Sequence, residues 1–236
     1  MLIEQQPAFV LHLRPYRETS LLLECLTRDH GRVGVVARGV RSQRGRLQRA
    51  QLEPFQPVLL DLQMRGELAS LRSAEPAGAP VRLPGDVGLA GLYVNELVVR
   101  LTERQDPLPE LYAIYAQTLL RMAQEPPLAW QLRRFERDLL AALGYALQLD
   151  EEADSGEALH AEALYVYRAE HGPVRCRASE PHAVRGSDLQ LLQQDRAPDA
   201  QGLHALRGMM RELIRFHLGG VELRAWRVLR GAITRR

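Results

Sequence analysis

AFVLHLRPYRETSLLLECLT, residues 8–27, is the stretch whose reading decides the fold. Its apolar residues recur at every second position, with Phe9, Leu11 and Leu13 on one side and Val10, His12 and Arg14 on the other. Successive side chains of a strand point to opposite faces, so this period predicts β structure. The short connection PYRET leads into SLLLECLT, residues 20–27. Further out, GRVGVVAR (31–38) sets Val33, Val35 and Ala37 on one side, and PVLLDLQ (57–63) groups Val58, Leu60 and Leu62. GELASLRSAE (66–75) follows the turn RG. Five short period-2 segments with tight connections predict a small barrel or sandwich.

The pattern changes after EPAGAPVRLPGDVG (75–88), whose prolines and glycines mark a linker. LAGLYVNELVVRLTER (89–104), PELYAIYAQTLLRMAQ (109–124) and LAWQLRRFERDLLAALG (128–144) carry apolar residues at helical spacing, the last ending on a glycine suited to a C-cap. ALYVYRAEHGPVRCRA (163–178) reads as two strands around the turn EHG, and helices are expected over 187–194, 200–218 and 222–230. The expected fold is α+β and multidomain. A five-stranded barrel spans 1–78, a linker 79–86, and a mainly helical domain 87–236, with an acidic and β excursion at about 150–182.

The chain has 236 residues and a formal net charge of +2, so charge distribution matters more than its sum. From Arg28 to Arg49 only Asp29 opposes the arginines, and Arg207 to Arg236 forms a second basic cluster. Asp150 to Glu162 is acidic. All 31 basic residues are arginine, which compositional bias accounts for and which excludes P-loop and Schiff-base lysine chemistry. Two distant cysteines, Cys25 and Cys176, give no disulfide framework and point to a reducing cytoplasm. The N-terminus has no signal-peptide pattern, and no apolar run approaches the ~20 residues that cross a bilayer, so no membrane role is expected.

Between the third and fourth strands lies the basic segment containing Arg38, Arg41, Arg44, Arg46 and Arg49, with no acid until Glu53. An oligonucleotide-binding barrel has its longest connection there. Planar guanidinium forks on a glycine- and serine-containing segment suit bidentate phosphate contacts without sequence preference. A solvated loop is the alternative. At the first connection, Tyr16 stands between Arg14 and Arg17, where a base could stack while the cations hold the backbone. A tyrosine packed on the barrel edge is an equal reading.

Arg133 and Arg134 lie beside the apolar face of a predicted helix. Apolar and cationic walls together suit an acidic peptide with a hydrophobic end. Intrahelical pairing is the competing reading, Arg133 with Glu136 and Arg134 with Asp138. His160, His171, Cys176 and His182 include zinc-ligand types without a paired-ligand spacing. No nucleophile elbow, metalloprotease helix, dinucleotide fingerprint or catalytic acid pair occurs, which argues against an enzyme.

The run AFVLHLRPYRETSLLLECLTRDHGRVGVVARGVRSQRGRLQRAQLEPFQPVLLDL, with GLYVNELVVRL and LRRFERDLLAALGY behind it, resembles the RecO family of bacterial recombination mediators. The resemblance implies an oligonucleotide-binding (OB) barrel followed by a helical domain. It implies binding of single- and double-stranded DNA and ATP-free annealing of complementary strands. It also implies docking on the acidic C-terminal tail of the single-strand-binding protein SSB, and action with RecR, and often RecF, in loading RecA. The expected DNA contacts are Arg14, Tyr16, Arg17, Arg38, Arg41, Arg44, Arg46 and Arg49, and the expected anchors of the SSB tail are Arg133 and Arg134. Many family members carry two C-x-x-C pairs after the LGY motif. Here Cys176 is the region's lone cysteine, so no zinc and no other cofactor is expected. The excursion would hold by its own hydrogen bonds and by packing Leu164, Val166 and Val174 onto the helices.

Overall fold

The computed structural model of the chain describes residues 1–40 and 49–226. Five strands form a closed barrel: β1 (Leu2–Tyr16), β2 (Ser20–Thr27), β3 (Gly31–Ala37), β4 (Pro57–Arg65) and β5 (Leu68–Pro76), in the order β1-β2-β3-β5-β4 with β4 returning to β1. Every pairing is antiparallel except β3 with β5. This is the five-stranded Greek-key arrangement of an OB fold. Ala8, Val10, Leu23, Cys25, Val33, Val35, Leu60 and Leu62 fill it. Burial also pushes the Cys25 thiol far above its ordinary pKa.

Simple alternation fails in β1, and the reason is physical. Ala8 through Leu11 are all buried. Ala8 and Val10 face the barrel core, while Phe9 and Leu11 are covered from outside. The Phe9 ring lies 5.4 Å from that of Tyr112 and 5.0 Å from that of Tyr115. Leu11 is the extra residue of a bulge between Val10 and His12. A second irregularity, near Gln5 at φ +52°, bends the 15-residue strand so that it pairs on both edges.

Tyr112 and Tyr115 belong to α2 (Pro109–Gln124), and Asn95, which reaches Leu11, belongs to α1 (Gly85–Leu101). Both helices are packed with the barrel. The first compact unit comprises residues 1–124 and the chain from Leu223 onward, and the second is Glu125–Glu222. Packing therefore divides the chain after Gln124, whereas the composition shift falls at 79–86. The returning segment is fastened by Glu96, whose carboxylate accepts the backbone N–H groups of Arg224 and Ala225 at 2.8 Å each. Leu223 is buried beside it. Residues 224–226 begin helical, and the remainder of the helix expected over 222–230 lies outside the described residues.

The second unit holds α3 (Leu128–Ala142), α4 (Gly186–Gln193) and α5 (Ala200–His217) around a small sheet ordered β7-β6-β8, with β6 Leu164–Arg168, β7 Gly172–Arg175 and β8 Val184–Arg185. The excursion is thus a hairpin with a third short strand. Tyr165 packs into the helical core at 0 % exposure, while Leu164 and Val166 stay half-buried. Tyr165 had no place in the packing predicted from sequence. Its hydroxyl accepts the His160 N–H at 3.0 Å, and the Tyr167 hydroxyl accepts that of Gln148 at 2.8 Å, so two tyrosines pin the flanking loops. Asp199 caps α5 by accepting the Gly202 N–H at 2.7 Å. That bond first, and then Arg185, lower the Asp199 pKa. Among the described residues no helix is long and apolar enough to cross a membrane.

Candidate nucleic-acid interface

Strand register gathers the cations at one end of the barrel. Pro15 lies across from Leu21, and Leu21 across from Ala37. The β1–β2 turn and the end of β3 therefore meet, and with them Arg14, Tyr16, Arg17 and Arg38. All three arginines are exposed and Tyr16 is half-buried. Arg17 sits in the left-handed region at φ +55°, with its guanidinium carbon 5.3 Å from the centre of the Tyr16 ring. A base stacking on that ring face would replace a cation–π contact.

Arg41, Arg44 and Arg46 lie outside the described residues. Arg49 is exposed at the start of the 3₁₀ turn Arg49–Leu52, and it pairs with Glu53 at 3.3 Å. The basic segment thus has a carboxylate partner at this end, which departs from the expectation of unopposed guanidiniums. The exposed pair is worth about 0–1 kcal/mol, so phosphate can displace it.

Arg72 joins this end and was missed in the sequence. Val36 pairs with Ser70 in parallel register, so two residues further along each strand come Arg38 and Arg72. Leu71 points into the core and Arg72 is exposed, as the extra residue of a bulge between β4 and β5. The alternation of ASLRS was the available signal.

OB folds bind oligonucleotides across β2–β3, between the β1–β2 and β4–β5 connections. Here the chain itself covers part of that path. Arg32 binds Glu24 at 2.9 Å and the Thr102 carbonyl at 2.7 Å, and Arg104 reaches the same glutamate. Gln105 donates its N–H to the Arg32 carbonyl at 2.9 Å and its side-chain amide to the Gly66 carbonyl. A Cβ on Gly31 would stand 1.8 Å from the Asp106 carbonyl oxygen, so only glycine admits this segment. The open part of the face is the Arg14–Arg38–Arg72 end.

In the second unit, Arg133 and Arg134 differ sharply. Arg133 is buried and holds Glu136 through two contacts of 2.7 and 2.5 Å. Arg134 is 20 % exposed and pairs with Asp195 instead of Asp138, which Arg137 takes at 2.8 Å. The Arg134 Nε is buried with no hydrogen-bond partner among the described residues. An acidic peptide would have to displace the buried Glu136 at Arg133, but only the partly exposed Asp195 at Arg134.

The histidines and the cysteine singled out in the excursion are not gathered into one site. His171 is engaged with Asp154 at 2.9 Å, and His182 stands 3.8 Å from Glu212. Among the described residues no three potential ligands come together. Tyr165 and Tyr167 fasten the same region by hydrogen bonds.

Comparison with known proteins agrees with the geometry. Residues 1–80 match the family model described as Recombination protein O N terminal, and residues 86–227 match Recombination protein O C terminal. The chain is 45% identical over 241 residues to a protein named DNA repair protein RecO from Xanthomonas euvesicatoria pv. vesicatoria (strain 85-10), covering 100% of both. It is 46% identical over 240 residues to the protein of that name from Stenotrophomonas maltophilia (strain K279a), again over 100% of both chains. With the closed five-stranded barrel, the two family models in order and full-length relatives of one name, the chain belongs to the RecO family of DNA repair proteins.

Proposed function

We propose that this protein is a non-enzymatic recombination mediator. It binds DNA through the barrel end carrying Arg14, Tyr16, Arg17, Arg38 and Arg72, with Arg41, Arg44, Arg46 and Arg49 extending the contact. It anneals complementary SSB-coated single strands without ATP, and with RecR and RecF it promotes RecA loading on gapped DNA. The observation that carries this reading is the convergence of exposed cations at one open barrel end, while Thr102–Asp106 covers another part of the β2–β3 face. Guanidiniums there screen the phosphates of approaching strands. Base pairing supplies the driving force, so no nucleotide hydrolysis is required. Docking on the SSB tail raises the local concentration of the barrel near the coated strand. Arg134 is the tail anchor, with a partly exposed fork from which an acidic tail can displace Asp195; Arg133 serves the helix.

The test is ATP-free annealing of two complementary oligonucleotides coated with cognate SSB, with intact and tailless SSB in parallel. Acceleration with intact SSB alone is expected. Equal acceleration with both would leave a generic single-strand binder without SSB contact. No acceleration would remove annealing.

A second reading, docking of an acidic protein, is favoured by a groove in the first unit. It has a volume of about 410 Å³, with Leu11, Leu89, Leu92 and Val99 as apolar walls and His12, Arg100 and Arg224 around them. Annealing that survives Arg100→Glu, with loss of an acidic partner, would favour this reading for the groove.

A further inference from the structure

Pairing two strands needs a place for each, and the barrel end provides one. The second unit carries another surface with both chemistries that a single strand requires. On α5, Arg207, Arg211 and Arg215 stand at intervals of four residues on one side of the helix. Each interval rises about 6 Å, close to the spacing of phosphates on an extended strand. Arg207 and Arg215 are exposed and Arg211 is half-buried. Arg211 pairs with Glu222 at 3.3 Å and Arg215 with Glu212 at 2.8 Å, both in exposed ion pairs that a phosphate can displace. Arg207 makes no ion pair among the described residues.

The last turn of α5 adds rings on neighbouring sides of the helix, Phe216 about 100° round from Arg215. Phe216 is 52% exposed and Tyr145 49%, an unusual condition for such large apolar surfaces lying together. The His217 ring joins them, 4.3 Å from Tyr145 with its plane tilted by 34°, and 5.4 Å from Phe216 edge-on. Beside this cluster opens a slot of about 240 Å³ lined by Tyr145, Gln148, Tyr167, His171 and His217, large enough for one nucleobase and offering it polar edges. Burial lowers the His217 pKa against the opposing charge of Glu170, which also lines the slot.

We propose that the outer side of α5, with Tyr145, is a second single-strand-binding surface. It takes phosphates along Arg207, Arg211 and Arg215, and bases on Phe216 and the Tyr145–His217 pair. The proposal rests on the reading that the protein anneals strands, and it deepens that reading by giving the second strand its own site. One strand binds the barrel and its complement binds α5, so annealing depends on both sites while simple binding survives the loss of either.

The experiment uses the full-length protein and oligo-dT carrying 5-iododeoxyuridine. Photo-adducts on Tyr145, Phe216 or His217 of the unaltered protein are expected, beside adducts in the barrel. The triple variant Arg207→Gln, Arg211→Gln, Arg215→Gln should lower the salt slope of binding by about 2, from three contacts at roughly 0.7 each, and abolish annealing. Phe216→Ala should weaken oligo-dT binding about fivefold or more at an unchanged melting temperature. An arginine-to-lysine triple should restore the slope. Adducts confined to the barrel, with an unchanged slope in the glutamine triple, would overturn the second site and leave the barrel reading standing. If the intact protein shows no salt-dependent affinity for oligo-dT, both fall. If the glutamine triple loses affinity only for an acidic peptide, the surface is a protein dock and the proposal fails.

Discussion

The side-chain amide of Asn95 donates to the carbonyl of Leu11 at 2.8 Å, across 84 positions of sequence. That carbonyl belongs to the bulged residue of β1, which the ladder leaves over. The other end of Asn95 accepts the Tyr115 hydroxyl at 2.7 Å, so one buried amide ties the barrel to both helices that cover it. Asn95→Ala orphans a buried carbonyl and a buried hydroxyl, and should cost about 2–4 kcal/mol in urea unfolding. Tyr115→Phe removes one of those bonds and should cost less. Equal costs would mean that the network does not carry the junction.

The buried pair Arg133–Glu136 makes a separate prediction. Arg133→Met leaves the Glu136 carboxylate buried without its fork, an expected loss of about 3–5 kcal/mol. Adding Glu136→Leu should recover most of it. Arg134→Gln, at a partly exposed site, should change the melting temperature little while weakening the SSB tail. If Arg133→Met unfolds easily and Arg134→Gln leaves tail binding intact, the tail docks elsewhere.

At the barrel end, Arg14→Ala, Arg17→Ala and Arg38→Ala combined should flatten the single-strand salt slope by about 2. Adding Arg72→Ala should take off about 0.7 more. An additive series places Arg72 on the path of the strand; no further change would take it off.

Asp61 gives a pH signature. The Ser73 hydroxyl, and then the Gln5 N–H at 2.8 Å, lower its pKa. The folded carboxyl binds its proton less readily than the unfolded one. Its stabilisation is therefore complete above the ordinary carboxylate range and fades as pH falls through the lowered value. Melting temperatures of the parent and Asp61→Asn should differ at pH 7 and converge toward pH 3. A constant gap would show that the bonds survive protonation.

The thiols should separate cleanly. Cys25 is fully buried with its pKa pushed up by burial, and Cys176 is half-buried. Native protein should expose one thiol to a disulfide reagent and release the second only on unfolding.

The barrel was legible because β4 and β5 alternate in burial, with Val58, Leu60 and Leu62 inward, and because Val33, Val35 and Ala37 of β3 share the core side. β1 was legible as a strand, but neither the bulge at Leu11, after which Leu13 packs on the core side, nor the cover over Phe9 was, since period 2 reports only a difference between faces. The helices themselves were legible from spacing, as α2 over 109–124 shows. Their attachment to the barrel was not, since an apolar stripe does not name what it packs against. Arg14, Arg17 and Arg38 could be found because charge beside a strand end is visible in one dimension. Arg32, Arg104 and Glu24 could not, because their mutual neutralisation joins residues 80 positions apart.

The return of the chain at Leu223 has a consequence for how the molecule is made and trimmed. The unit begun by the first residue is completed only by residues near the last, through Glu96 and the N–H groups of Arg224 and Ala225. Residues 1–124 gain their last partners only from a segment that follows all of Glu125–Glu222 in the chain. A stop codon after Glu222 would therefore injure the barrel-bearing unit and spare the part nearest the cut.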